Sequence, residues 1–148
     1  MSHAGLILGL PELEVERVDR NDAIIVYAKP TTRPSCLYCD DPRVRIKATY
    51  QRTLKHTRQG NQLITLCLKT PKYHCLRCGR YFRHRFNGVR PRFRASEAFR
   101  LEVFETHDGG VTQAKLTRTH RVSAATTERW YQSYCRQRLS ELSNRPCE

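Results

Sequence analysis

Cys36-Leu37-Tyr38-Cys39 and Cys75-Leu76-Arg77-Cys78-Gly79-Arg80 are the two stretches whose reading decides the fold. Each puts two sulfurs on a tight turn, so both pairs can face one ion, and four thiolates form the closed tetrahedral site that suits structural zinc. Pro34 before the first pair and Gly79 after the second supply turn chemistry. Three readings compete with this one: a redox pair, plain structural thiols, and a ligand set in which His74 or His84 replaces a cysteine. A redox Cys-x-x-Cys usually sits in a βαβ setting, which the neighbouring pattern does not offer. Cys67 falls on an apolar strand and is expected in the core. Cys135 and Cys147 have no neighbour at ligand spacing. A catalytic zinc keeps one position open, which two complete pairs do not leave. The expectation is one Zn2+, structural, on Cys36, Cys39, Cys75 and Cys78.

The pairs are separated by 35 residues, enough for a hairpin. Val44, Ile46 and Thr49-Tyr50 lead to a polar turn at Arg58-Gln59-Gly60-Asn61. The partly alternating run Gln62 to Thr70 follows, and this pattern predicts two strands. Upstream, Leu13, Val15 and Val18 precede Asp19-Arg20-Asn21-Asp22 and then Ala23 to Ala28, a second hairpin signal.

The pattern changes after Pro91. Phe99, Val103 and then Leu101, Phe104 recur at helical spacing behind Ser96 as a cap, until Gly109-Gly110 ends the run. Val111-Thr112 opens a short helix through about Thr119. Ser123 caps a third helix that carries Trp130, Tyr131, Tyr134, Leu139 and Leu142. The fold expected is α+β: a small β-rich zinc ribbon in residues 1–90, then a three-helix helix-turn-helix domain in residues 91–148. Small domains of this size need a staple, which the cysteines can supply.

Charge is distributed unevenly. The chain carries 27 Lys and Arg against 14 acidic residues, for a formal charge of +13. Fifteen of the basic residues and no acidic one lie between Arg43 and Ala95. Such a field attracts polyanions. No apolar run approaches the roughly 18–20 residues of a membrane span, and Ala4–Leu10 is too short for a secretory signal, so the expected place is the cytoplasm.

Helix, short turn, helix is the basic DNA-reading unit, with the second helix of the pair entering the major groove. Thr112–Thr119 would support, His120-Arg121-Val122 would turn, and Ser123 to about Leu139 would read. Ala114, Leu116 and Val122 would form the apolar seam, sealed by Trp130. Ser123, Ala124, Ala125, Thr126, Thr127, Glu128 and Arg129 near its start would face bases or phosphates, with Ser123 both capping and donating to a phosphate. A plain three-helix bundle with an aromatic core stripe is the bland alternative. Two residues depart from the usual pattern. Arg121 stands where glycine commonly takes a left-handed conformation, at a cost of about 1 kcal/mol. Thr127 stands where a buried Val or Ile is usual.

These residues together resemble the N-terminal region of insertion-sequence transposases of the ISL-three type. The resemblance runs from Leu8-Gly9-Leu10-Pro11 through Cys36-x-x-Cys39, Tyr50-x-Arg52 and Tyr73-His74-Cys75-x-x-Cys78-Gly79-Arg80-x-Phe82 to Val111-Thr112-Gln113-Ala114 and Val122-Ser123-x-x-Thr126-x-x-Arg129. It implies a zinc ribbon and a helix-turn-helix that bind the terminal inverted repeats of a mobile element in double-stranded DNA, and association with a second copy or with full-length transposase. It also implies a following DDE nuclease domain, and the chain stops before one. Glu128, Glu141 and Glu148 have no strand-rich scaffold to gather them around metals. The expectation is therefore a binding region without catalysis, located with the nucleoid.

In this reading Arg80, Arg83, Arg85, Arg90, Arg92 and Arg94 clamp phosphates, while the third helix reads sequence. Other readings stay open: an RNA-binding or ribosome-associated ribbon stacking bases on Tyr81-Phe82, a dimeric zinc-ribbon regulator, and an adaptor docking through the Trp130 face.

Overall fold

The computed structural model describes residues 3–144, so Cys147 and Glu148 lie outside the described residues. The chain divides into two compact units, Met1–Ala98 and Phe99–Glu148. The division falls after Ala98 and not after residue 90. The backbone of Lys55 explains why: its N–H donates to Arg94 O at 2.9 Å, and its carbonyl accepts from Ser96 N at 2.9 Å. Residues 94–96 are thereby strapped to the sheet.

In the first unit a short helix, α1 (His3–Ile7), precedes β1 (Leu13–Arg20) and β2 (Ile24–Pro30). Then come β3 (Val44–Gln59), β4 (Gln62–Cys75) and β5 (Tyr81–Arg83). Both expected hairpins form, and both are antiparallel. Their union was not foreseen: β2 runs parallel to β4, giving the order β1-β2-β4-β3, with β5 also on β4.

β4 is central because its side chains serve two cores. Ile64, Leu66 and Leu68 alternate into a cluster with Ile24, Val26, Ala28, Leu54 and Leu13, as expected for strands buried on one face. At Pro71 the phase of burial switches, and Tyr73 and Cys75 join Cys36, Val44 and Phe82 in a second cluster. Opposite this point β3 carries a register shift between Ile46 and Ala48. A bulge places one extra residue and bends its strand, so β3 can follow the switch. Cys67 departs from expectation. It is half-buried on the other face from Leu66 and Leu68, with its sulfur 3.9 Å from Thr53 Oγ1, and it joins neither core.

The second unit is helical: α2 (Glu97–Asp108, its first two residues still in the first unit), α3 (Gln113–His120) and α4 (Ala124–Ser143). Thr112 caps α3, its hydroxyl accepting from Lys115 N at 3.2 Å, and Ser123 caps α4, accepting from Thr126 N at 3.2 Å. Phe99, Val103, Phe104, Leu116, Val122 and Thr127 are buried. The aromatic stripe of α4 packs on α2, with Phe104 5.4 Å from Tyr131 and 5.0 Å from Tyr134, and Phe99 edge-on to Trp130 at 6.1 Å. Three expectations fail here. Leu101 is 40% exposed while its neighbour Arg100 is 5% exposed, because a helix has room for one buried stripe and Arg100 reaches back over Trp130 at 5.6 Å. Ala114 is exposed, leaving Leu116 and Val122 to form the seam. Leu139 and Leu142 are exposed beyond the packed half of α4. No helix among the described residues is long and apolar enough to cross a membrane.

Candidate metal centre and basic face

Two equivalent turns build the metal centre. In the first, Tyr38 N donates to Cys36 Sγ at 3.4 Å and Asp40 N to Cys36 O at 3.0 Å. In the second, Cys78 N donates to Cys75 Sγ at 3.5 Å and Gly79 N to Cys75 O at 3.1 Å. Each turn closes on a left-handed residue, Asp40 at φ 59° and Gly79 at φ 72°. Glycine takes that conformation freely, and aspartate is among the few other residues that do so readily. The Gly79 signal was legible, whereas Asp40 was missed although it occupies the same place in the first turn.

The sheet brings the turns together, since Val44 pairs with Cys75 in the β3–β4 ladder. The four sulfurs of Cys36, Cys39, Cys75 and Cys78 lie within 4.8 Å of one another, with Cys36–Cys78 at 3.7 Å and Cys39–Cys75 at 3.6 Å. Bonds of about 2.3 Å from a tetrahedral zinc imply sulfur–sulfur edges of about 3.8 Å. The four cysteines can therefore hold one metal ion, and their geometry is compatible with structural zinc.

The electrostatics favour a cation. The Cys75 thiol is pulled down to about 6 by the backbone N–H of Cys78, then of Arg77. Cys39 goes the other way, up to about 12: the backbone N–H of Asp41 favours its thiolate, but burial and the three neighbouring sulfurs outweigh that. Four sulfurs this close cannot all ionise without a positive charge among them. His74 and His84 stand outside the cluster. His74 stacks on Tyr81 at 4.6 Å, and Tyr73 Oη lies 3.1 Å from His84 Nδ1.

Asp41, which the sequence did not single out, anchors the first turn. Its carbonyl accepts from Cys36 N at 2.9 Å, and its carboxylate accepts from Arg43 Nε at 3.0 Å, Nη2 at 2.9 Å and backbone N at 2.8 Å. The Arg43 guanidinium and backbone N–H hold its carboxyl down at about 2.

The six arginines proposed as clamps are all exposed. Arg80 lies 4.8 Å over the Tyr38 ring and Arg83 4.9 Å over Tyr50. Arg90 is already engaged, with its Nε 2.6 Å from Glu97 Oε1. Arg52 Nη2 donates to the carbonyls of Arg90 and Phe93 and so pins the loop that carries them. Arg80, Arg83, Arg85, Arg92 and Arg94 have no carboxylate at ion-pair distance among the described residues.

On α4, Ser123, Ala124, Ala125, Glu128 and Arg129 are exposed and Thr126 half-buried. Thr127 is a correction: at 1% exposure, with its hydroxyl donating to Ser123 O at 3.1 Å, it belongs to the core and cannot reach a base. The Ser123 hydroxyl donates to Thr126 Oγ1 at 2.9 Å while it caps the helix, so donation to a phosphate competes with that bond. Arg129 Nη2 donates to the same Thr126 oxygen at 3.0 Å. Arg121 takes the left-handed conformation (φ 54°, ψ 40°) at the connection between α3 and α4.

No family model, curated protein or solved structure matches the chain.

Proposed function

We propose that this protein is a DNA-binding module stabilised by one structural zinc, in which a ribbon on Cys36, Cys39, Cys75 and Cys78 supplies affinity and α3–α4 act as a helix-turn-helix. The observation that carries this reading is the α3–α4 connection. It has three residues, Arg121 to Ser123, with a left-handed residue at its first position and a capped helix after it that exposes Ala124, Ala125, Glu128 and Arg129. That pattern suits a helix presented N-terminus first to a major groove. The uninterrupted positive block from Arg43 to Ala95 supports a polyanionic partner.

Within this reading the chain serves an insertion-sequence transposase. Its target is the double-stranded terminal inverted repeat, it associates with a second copy or with full-length transposase, and it has no catalytic role of its own. The ribosomal or RNA-ribbon alternative asked Tyr81-Phe82 to stack bases, and Phe82, 6% exposed and packed beneath Tyr73 at 5.3 Å, is poorly placed for that.

Duplex binding by Arg129→Ala and by the double variant Arg83→Ala, Arg85→Ala tests the division of labour. The first should narrow the gap between specific and random duplex. The second should weaken both equally and flatten the dependence of log affinity on log salt by about 2, near 0.9 for each phosphate no longer neutralised. The reverse pattern would contradict the assignment.

A further inference from the structure

Beside the metal centre the first unit contains a groove of about 660 Å³. Its walls include Tyr38, Tyr50, Thr70, Arg83, Arg85 and Arg92, and no acidic side chain lines it. We infer that this groove binds a short unpaired stretch of DNA, stacking a base against Tyr50 and setting its phosphates against Arg85 and Arg92. The choice of DNA rests on the function proposed above, while the groove's fit to a single strand does not.

Four observations carry the inference. The volume falls within the roughly 300–1,000 Å³ of sites that enclose a ligand the size of a nucleotide; a whole duplex is too wide to enter it and can touch only the rim, where the exposed Arg85 and Arg92 remain within reach of its phosphates. Tyr50 remains 43% exposed while Arg83 lies 4.9 Å over its ring. Unpaired bases stack on aromatic faces, and a neighbouring arginine adds a cation–π contribution. Arg85 and Arg92 are exposed and have no carboxylate at ion-pair distance among the described residues, and Arg92 is held at φ 66°. Finally, Thr70 Oγ1 is buried in the wall without a hydrogen-bond partner. An orphaned buried hydroxyl is uncommon in folded proteins, and a strand in the groove could supply its partner.

Arg52 gives the groove its rigidity. Its guanidinium is committed to the carbonyls of Arg90 and Phe93, so the loop that brings Arg92 to the rim is tied to β3. A platform fixed before binding loses less entropy when a strand docks.

The test uses the full chain and three fluorescent probes: a blunt duplex, the same duplex with a thymidine overhang, and oligo-dT of roughly 12 nucleotides, within the site sizes that single-strand binders cover. The overhang should tighten binding over the blunt duplex, and Tyr50→Ala should remove roughly tenfold or more of affinity for overhang and oligo-dT, the worth of one stacked base, with the blunt duplex unchanged. Thr70→Val should weaken strand binding without lowering thermal stability, since it removes a hydroxyl that has no partner. Equal affinity for overhang and blunt duplex, or indifference of oligo-dT to Tyr50→Ala, would overturn the inference. Tighter binding of oligo-rU than of oligo-dT would overturn its assignment to DNA. Oligo-dT binding that needs Tyr50, with no binding of blunt duplex, would sink the proposed function and leave the groove standing.

Discussion

Cys36 Sγ and Cys78 Sγ lie 3.7 Å apart across 42 residues of chain. The contact is made by the β3–β4 ribbon, which folds the second Cys-x-x-Cys back beside the first, and it is the distance that one tetrahedral ion would impose. The freshly purified chain should accordingly carry about one zinc. Cys36→Ser and Cys78→Ser should lose it, whereas Cys67→Ser and Cys135→Ser should keep it. Elemental analysis checks this, and full zinc retention in Cys36→Ser would refute the ligand set.

Asp41 acts on the same centre from outside the sulfur cluster. Its carboxylate closes a two-pronged bridge on Arg43 while its carbonyl holds Cys36 N. Groups that orient ligands without touching the ion typically change metal affinity by about 10–100-fold when removed. Asp41→Ala should release zinc faster to a chromophoric chelator while the protein still binds it stoichiometrically. Asp41→Glu should recover part of the loss.

The fold was legible where side-chain period and turn chemistry act locally. The hairpins at Asp19–Asp22 and Gly60-Asn61, the Cys-x-x-Cys turns, and the cap Ser123 all follow from neighbours in sequence. What was not legible depends on long-range registration. The parallel pairing of β2 with β4 joins residues about forty apart, and the phase switch at Pro71 appears only once β4 has two separate cores to pack against. Arg100 and Leu101 exchanged places for a similar reason. Hydropathy assigns the leucine inward, but the ring faces of Trp130 and Tyr134 offer the guanidinium 5.6 Å and 5.9 Å contacts. Thr127 read as exposed because it is polar, and its hydroxyl is satisfied by the helix itself. In the candidate site the sulfurs were read from spacing, while Asp40, Asp41 and the groove of Tyr50 and Thr70 needed coordinates.

His56 should make the first unit sensitive to acid. It is fully buried, with Nδ1 2.7 Å from Ser96 Oγ and Nε2 2.8 Å from Leu8 O, and burial pushes its pKa below the ordinary histidine value. A folded-state pKa lower than the unfolded one means that the unfolded chain binds the extra proton. The stabilisation is therefore complete above about 6.5 and is lost as pH falls below that through the folded value. His84, also lowered by burial, acts in the same direction. Urea unfolding of wild type and His56→Gln between about pH 5 and 8 should show the steeper acid loss in wild type. Equal slopes would contradict it.

Arg121 stands in left-handed backbone, φ 54°, where a side chain costs roughly 1–2 kcal/mol and glycine nothing. Glycine's greater freedom in the unfolded chain takes back part of that. Arg121→Gly should raise the stability of the helical unit by about 0.5–1 kcal/mol, read by chemical denaturation. Thr127→Val should leave DNA affinity unchanged, because the side chain is buried.

Sequence-specific DNA recognition can be read from the fragments that the protein selects out of a genome. Zinc-loaded protein is incubated with random genomic duplex fragments at about 0.15 M salt, where phosphate contacts alone are weakened, and the retained fragments are sequenced. Short inverted repeats at the ends of mobile elements should be recovered, and lost with Arg129→Ala. Retention without sequence preference, unaltered in that variant, would contradict it.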